Sequence, residues 1–303
     1  MPELPDVEVY CERLTALFGG QPLQAARLKS PFLVRTVEPP LSAAVGRTLK
    51  SVTRLGKRLV FEFDPELYLV FHLMIAGRFH LKPLGASPGK LGLLALDFPS
   101  KTVMLTEASP KKRASLRVFS DLHGVEQQNA GGIEPLASDL AQFRAALLEE
   151  NHTLKRSLTD PHLFSGIGNA YSDEILFVAQ LSPLKRSFDM QPDESERLYR
   201  ATRKVLTDFT SRIRKEVGEG FPEKVTAFRE DMAVHGRFRK PCPVCESPIQ
   251  RIVYAENEAN YCAKCQTGGK LLSDRALSRL LKGDFPKTLE ELEERRQANT
   301  ALR

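Results

Sequence analysis

The sequence predicts an α+β chain of more than one domain, and three observations carry that. Short alternating apolar and polar runs crowd residues 21 to 120, helical periods take over beyond residue 137, and four of five cysteines form two C-x2-C pairs near the C-terminus. A chain of 303 residues is long for one core and suits two domains. With 42% hydrophobic and 27% charged residues it has globular composition, and 44 Lys+Arg against 38 Asp+Glu leave a net +6. That balance favours an anionic partner such as nucleic acid. Nowhere do about 18 apolar residues run together, which argues against a membrane partner. Glu3, Asp6 and Glu8 stand where an export signal would be basic, so a cytoplasmic protein is expected.

The chain opens MPELPDVE. Removal of Met1 would give Pro2 a secondary amine titrating near pH ~8, able to attack aldehyde-like carbons and form a Schiff base. Glu3 beside it could move the protons such chemistry needs. The plain alternative is an ordinary Met-Pro start. From Asp6 to Phe18 apolar residues recur as Val7, Tyr10, Cys11, Leu14, Leu17 and Phe18, a helix stopped by Gly19-Gly20. Cys11 lies on its apolar face and reads as a packing residue.

Next come TLKSVTRL, KRLVFEFD, YLVFHLMIAGRFHLK, LLALDF and KTVMLTE, broken by Gly, Pro and Ser. Strands so closely spaced predict an antiparallel sandwich or barrel-like core. Lys57 and Arg58 follow Gly56 in one turn, and Lys111, Lys112 and Arg113 follow Ser109-Pro110 in another. Such clusters are either solvated turns or the wall of a phosphate-binding groove. His72 and His80 have no metal-ligand partner nearby and read as structural.

Residues 121 to 137 lose periodicity and gather Gly, Asn, Gln and Pro, which marks an interdomain connection. Helices are then expected at 136–148, 154–158, 170–179 and 192–217, the last with Pro192 in its first turn. Between two of them, Ser165-Gly166-Ile167-Gly168-Asn169 opens directly into a helix. Free amides there suit a phosphate, although a plain helix-helix turn has the same composition.

Cys242, Cys245, Cys262 and Cys265 would complete a tetrahedral zinc with no open position, a structural metal. Sixteen residues separate the pairs and read as a β-hairpin turning around Ala255 to Glu258. Beyond Gln266, LLSDRALSRLLKGDF contains a short amphipathic helix, and Thr288 to Glu291 has capping-box spacing.

Taken together, PELPDVE, GKRL, GGIEPL, SGIGNAYSDEIL and VHGRFRKPCPVC with YCAKCQ resemble the formamidopyrimidine-DNA glycosylase and endonuclease VIII family over about residues 1 to 268. The resemblance implies a β-sandwich with a leading helix (1–120), a linker (121–137), a helix-two-turn-helix domain (138–235), a zinc-finger hairpin (236–268) and a tail (269–303). It implies a bifunctional glycosylase and abasic-site lyase acting on oxidised bases. Pro2 would attack C1′ of a flipped nucleotide, Glu3 would transfer protons, and Lys57 would handle phosphate or protons at the lesion. Lys111, Lys112, Arg113, Gly168, Asn169 and Asn257 would meet DNA, and one structural Zn2+ would sit on the four cysteines. The implied partner is double-stranded DNA carrying a damaged base or abasic site, bound by a monomer associated with the nucleoid.

The chain departs from the family's pattern at several places. Asp6 replaces a glutamate, Ile75 a methionine wedge, Arg113 an aromatic wedge and Asn257 a phosphate-clamping arginine, while 218–237 looks shorter than the usual lesion-capping segment. These departures keep open a lyase for abasic sites or oxidised pyrimidines, and a non-catalytic damaged-DNA-binding protein. A zinc-ribbon interaction module would explain the cysteines but not MPELP.

Overall fold

The computed structural model describes residues 1–223, 225, 228–254, 257–273 and 284–301. Its first helix, α1 (Leu4–Phe18), starts two residues earlier than its apolar period because Glu3 caps it. The Asp6 carboxylate accepts from Glu3 N at 3.0 Å while the Glu3 side chain faces the Asp6 amide, a reciprocal capping box. The shorter Asp6 thus still closes the N-terminal turn, and Pro5 costs nothing where no helical amide is needed. Leu4, Val7, Tyr10, Leu14 and Phe18 are almost fully buried, as is Cys11.

Eight antiparallel strands follow: β1 (Ala25–Leu28), β2 (Thr48–Leu55), β3 (Arg58–Asp64), β4 (Leu67–His72), β5 (Gly77–Lys82), β6 (Gly92–Asp97), β7 (Thr102–Glu107) and β8 (Ser115–Phe119). They form two four-stranded sheets, ordered β2-β3-β4-β8 and β1-β6-β7-β5. The core is built by alternation: Leu59, Phe71 and Leu116 share one register row, Phe61, Leu69 and Val118 the next. All six are buried in one cluster with Phe79, Leu94, Leu105 and the apolar side of α1. Each such side chain contributes about 1.5–3 kcal/mol by leaving water. The intervening residues, Arg58, Val60, Val70, His72 and Arg117 among them, therefore lie on the opposite face.

The expected connection at 121–137 holds a short helix, α2 (Leu122–Glu126), capped by Asp121, whose Oδ1 accepts from Gly124 N at 2.7 Å. Its Val125 covers Val60, Tyr68 and Val70, so part of this connection packs on the sheet. The backbone divides into Met1–Gly132 with Leu206–Thr226, and Ile133–Val205 with Ala227–Arg303.

The second unit carries α3 (Leu140–Leu148), α4 (Leu154–Thr159) and α5 (Asn169–Val178). Helix α6 (Pro192–Val217) runs over the span its period predicts. Phe143 and Phe164 rings pack at 4.8 Å. Strands β9 (Gln250–Tyr254) and β10 (Asn257–Tyr261) pair antiparallel as the expected hairpin; the tip of its turn lies outside the described residues. A one-turn helix, α7 (Ala263–Thr267), follows. Most of LLSDRALSRLLKGDF (271–285), where a short amphipathic helix is expected, also falls outside the described residues. In the last helix, Leu289–Ala301, Glu291 N donates to Thr288 Oγ1 at 3.3 Å. Leu289 is buried with Ile252, Tyr261 and Leu271, so this part of the tail packs on the hairpin.

Candidate active site and metal centre

In the first unit, the N-terminal turn buries Pro2 and leaves Glu3 only 2% exposed. The α-amine at Met1 titrates below its ordinary 8.0. Burial is the main cause; Glu3 opposes it, Arg78 adds to it, Asp6 opposes it and Lys57 adds to it. An amine, two carboxylates and two cations thus influence one another at this end of α1. Arg78 was not legible as part of it. It lies on β5, donates from Nε to Val225 O at 2.6 Å and from Nη1 to Gly77 O at 2.6 Å, and braces the turn after β4.

Antiparallel register gathers three loops. Arg58, His72 and Ser115 are direct neighbours across β3, β4 and β8. The turn bearing Lys57, the turn of Met74 and Ile75, and the loop of Lys111 to Arg113 therefore emerge at one end of the same sheet. Ile75 is 59% exposed there, and Lys111 and Arg113 are at least partly exposed as well. The 109–114 loop is shaped by Glu107, a residue the sequence reading missed. Its buried carboxylate accepts from Arg113 N at 2.9 Å and Ala114 N at 3.1 Å, and its carbonyl accepts from Lys112 Nζ. Bonds to amides six and seven residues ahead leave no local signature, whereas a cap three residues away does. His80, read as structural, is held by Glu223 at 2.6 Å and by Thr106.

In the second unit the Gly-rich turn opens α5, with Gly166 at φ +79, a conformation that favours glycine, and Gly168 at the N-cap. Asn169 Nδ2 donates to Glu258 O at 2.9 Å, so the structure ties this half-buried side chain to the hairpin. Beneath it, Lys155 Nζ donates to Asn169 O and to Asp173 Oδ1, both at 2.6 Å, and Asp173 Oδ2 meets His235 Nδ1 at 2.7 Å. Glu174 accepts the amides of Ala233, Val234 and His235 at 2.7–2.9 Å. Burial raises its pKa, and those amides pull it back. The sequence hides this network because Lys155, Asp173 and Glu174 sit within helical patterns that look ordinary. Asn257 heads β10, but its side chain lies outside the described residues.

The four cysteines meet as the spacing requires. Sγ atoms of Cys242, Cys245, Cys262 and Cys265 lie within 4.8 Å of one another. Tetrahedral Zn–S bonds of about 2.3 Å place sulfurs just under ~4 Å apart, so the cluster fits zinc. Cys242 to Cys265 is 3.9 Å and Cys245 to Cys262 is 3.4 Å. With all four positions taken by thiolates, zinc here would join the knuckle of Cys242 and Cys245, ahead of β9, to the start of α7 and perform no chemistry.

Comparison with known proteins agrees with this geometry. Residues 1–117 match the formamidopyrimidine-DNA glycosylase N-terminal domain, 132–215 the H2TH domain of the same enzymes, and 239–268 a zinc finger found in FPG and IleRS. The formamidopyrimidine-DNA glycosylase of Thermus thermophilus is 33% identical over 286 residues, covering 89% of this chain and all of the relative. That of Exiguobacterium sibiricum is 30% identical over 283 residues, covering 88% and 99%. A Lactococcus lactis Fpg structure, in complex with an oxidised-pyrimidine-containing DNA, superposes with TM-score 0.77 at 25% identity over 88% of this chain and 100% of its own. A sandwich led by a capped N-terminal turn, a helical region opening on a Gly-rich turn and a four-cysteine finger define a DNA-repair glycosylase architecture. The chain belongs to the formamidopyrimidine-DNA glycosylase family.

Proposed function

We propose that this chain excises oxidised bases from double-stranded DNA and then cleaves the strand at the abasic site, with Pro2 as nucleophile. The observation that carries the reading is the N-terminal turn, which buries Pro2 and Glu3 together and where burial, against the pull of Glu3, lowers the pKa of the neighbouring Met1 amine. Once Met1 is removed, the neutral Pro2 nitrogen attacks C1′ of a nucleotide rotated out of the duplex. The C1′–base bond breaks, Glu3 supplies the proton for ring opening, and an iminium joins Pro2 to C1′. Loss of a C2′ proton then expels the 3′ phosphate by β-elimination. Lys57 steadies phosphate or protons at the lesion. Lys111, Lys112, Arg113, Gly168, Asn169 and Asn257 hold the backbone. Cys242, Cys245, Cys262 and Cys265 hold the structural zinc. The bacterial relatives support a cytoplasmic enzyme, and we infer that it acts as a monomer at the nucleoid.

A second reading, preference for abasic sites or oxidised pyrimidines, rests on the segment after α6. Glu223 accepts from Leu81 N at 3.0 Å and meets His80, and Val225 O receives Arg78, so this stretch is fastened to β5 at two points. A fastened segment is poorly suited to folding over a bulky purine.

Borohydride trapping tests both readings, using protein whose processed N-terminus has been verified by intact mass. Duplexes carry an abasic site, 8-oxoguanine or an oxidised pyrimidine. An adduct that disappears in Pro2→Gly establishes the iminium route, and the duplex trapped best names the lesion. Binding without trapping or cleavage of any duplex overturns the enzyme and leaves a damaged-DNA-binding protein.

A further inference from the structure

The outer face of the β2-β3-β4-β8 sheet carries cations that no described residue neutralises. Arg58, His72 and Ser115 form one row across three strands, and Arg117 projects from the next position on the same face, opposite Val70. Strands about 4.8 Å apart put β3 and β8 roughly 10 Å from each other, within reach of two arginine side chains. Val125 of α2 covers Val60, Tyr68 and Val70 further along this face, leaving the arginine row at the end next to Lys57. Arg58 and Arg117 are half-buried. Among the described residues neither is in an ion pair, and the buried Arg58 Nε has no hydrogen-bond partner.

Two guanidinium groups close enough to influence one another destabilise the sheet unless an anion joins them. Burial lowers the Arg58 pKa and Arg117 lowers it further. His72 cannot be that counter-charge. Its Nδ1 accepts from Met74 N at 3.1 Å, which leaves its proton on Nε2, a further donor on the same face. Two half-buried guanidinium groups and an imidazole N–H make a donor set that matches a tetrahedral oxyanion.

We infer that Arg58 and Arg117, with His72 between them, form a phosphate site that takes a phosphodiester of the DNA strand. The inference rests on the chain being a DNA glycosylase. It adds a contact on the sheet face behind the Lys57 turn, contributed by β3 and β8. A phosphodiester there would relieve the Arg58–Arg117 repulsion, so the site strengthens binding and fixes register without reading sequence.

Equilibrium binding to a duplex carrying a tetrahydrofuran abasic analogue, measured by anisotropy across a range of salt, tests it. Each lost phosphate contact should reduce the slope of log K against log salt by about 0.9. Arg117→Gln and Arg58→Gln are each expected to flatten the slope by that amount and to weaken Kd roughly tenfold at low salt. Lys101→Gln removes the same charge from the exposed turn between β6 and β7 and should leave the slope unchanged. If Arg58→Gln lowers the melting temperature, Arg117→Gln carries the test alone. Wild-type binding with unaltered slopes in the arginine variants overturns the phosphate site and spares the glycosylase reading. Equal flattening in Lys101→Gln reduces the effect to net charge and also overturns the site. Wild-type protein with no salt-dependent binding overturns both.

Discussion

His72 should make the sandwich sensitive to mild acid. Burial lowers its pKa from the ordinary 6.5 to about 4, and Arg58, Lys57 and Arg117 push the same way. Protonation would desolvate a new cation beside three others and break the bond that Met74 N donates to Nδ1. Because the folded value is the depressed one, the unfolded chain binds the extra proton more readily. The stability contribution is complete above about pH 6.5 and is lost as pH falls toward 4. A gap of about 2.5 pH units, at about 1.4 kcal/mol each, amounts to roughly 3.5 kcal/mol at most. The six histidines can be followed by their imidazole NMR signals, and His72→Gln, which keeps a side-chain acceptor for Met74, assigns the relevant one by its disappearance. That signal should titrate near pH 4, and denaturation of His72→Gln should lose less stability between pH 7 and 4 than wild type. A His72 signal with a midpoint between 6 and 7 (the ordinary range), or parallel stability curves, would refute the electrostatic account of this face.

Three further outcomes are expected. Processing moves the terminal amine to Pro2, which is itself buried, so cyanoborohydride trapping by processed enzyme should persist below pH 8 and decline only at lower pH; a midpoint at or above 8 contradicts the transfer to Pro2 of the depression found at the Met1 amine. Glu107→Ala leaves the Arg113 and Ala114 amides without their carboxylate and should cost about 2–4 kcal/mol, read by thermal melting, with weaker damaged-DNA binding as the loop loses its shape. Removing zinc with a chelator should release about one metal per chain by atomic emission and abolish duplex binding, while far-UV circular dichroism of the sandwich strands is retained.

The elements were legible in the sequence wherever one period ran uninterrupted. The helix expected at about 192–217 is found at Pro192–Val217, because its apolar positions repeat over about seven turns and a proline marks its start. The cysteine cluster was legible because metal geometry imposes its own spacing. Helix α2 was not, since five residues carry too little periodicity and only Val125 is buried. Glu107, Arg78 and the Lys155–Asp173–His235 chain escaped for another reason: their partners are backbone groups or residues on other elements, and those pairings exist only after the strands and helices have chosen their neighbours.

The same reasoning explains how scattered motifs become one surface. Lys57, Ile75 and Arg113 have no common period and lie far apart in the chain. Yet once Leu59, Phe71 and Leu116 must share one buried row, Arg58, His72 and Ser115 are forced into alignment one position away. A one-residue slip of β4 would move His72 inward and expose Phe71, at a cost of several kcal/mol for the side chains displaced. Apolar packing on one face thus fixes the register of the cationic row on the other, and the placement of the three loops at the sheet's end follows from core residues that are buried from solvent.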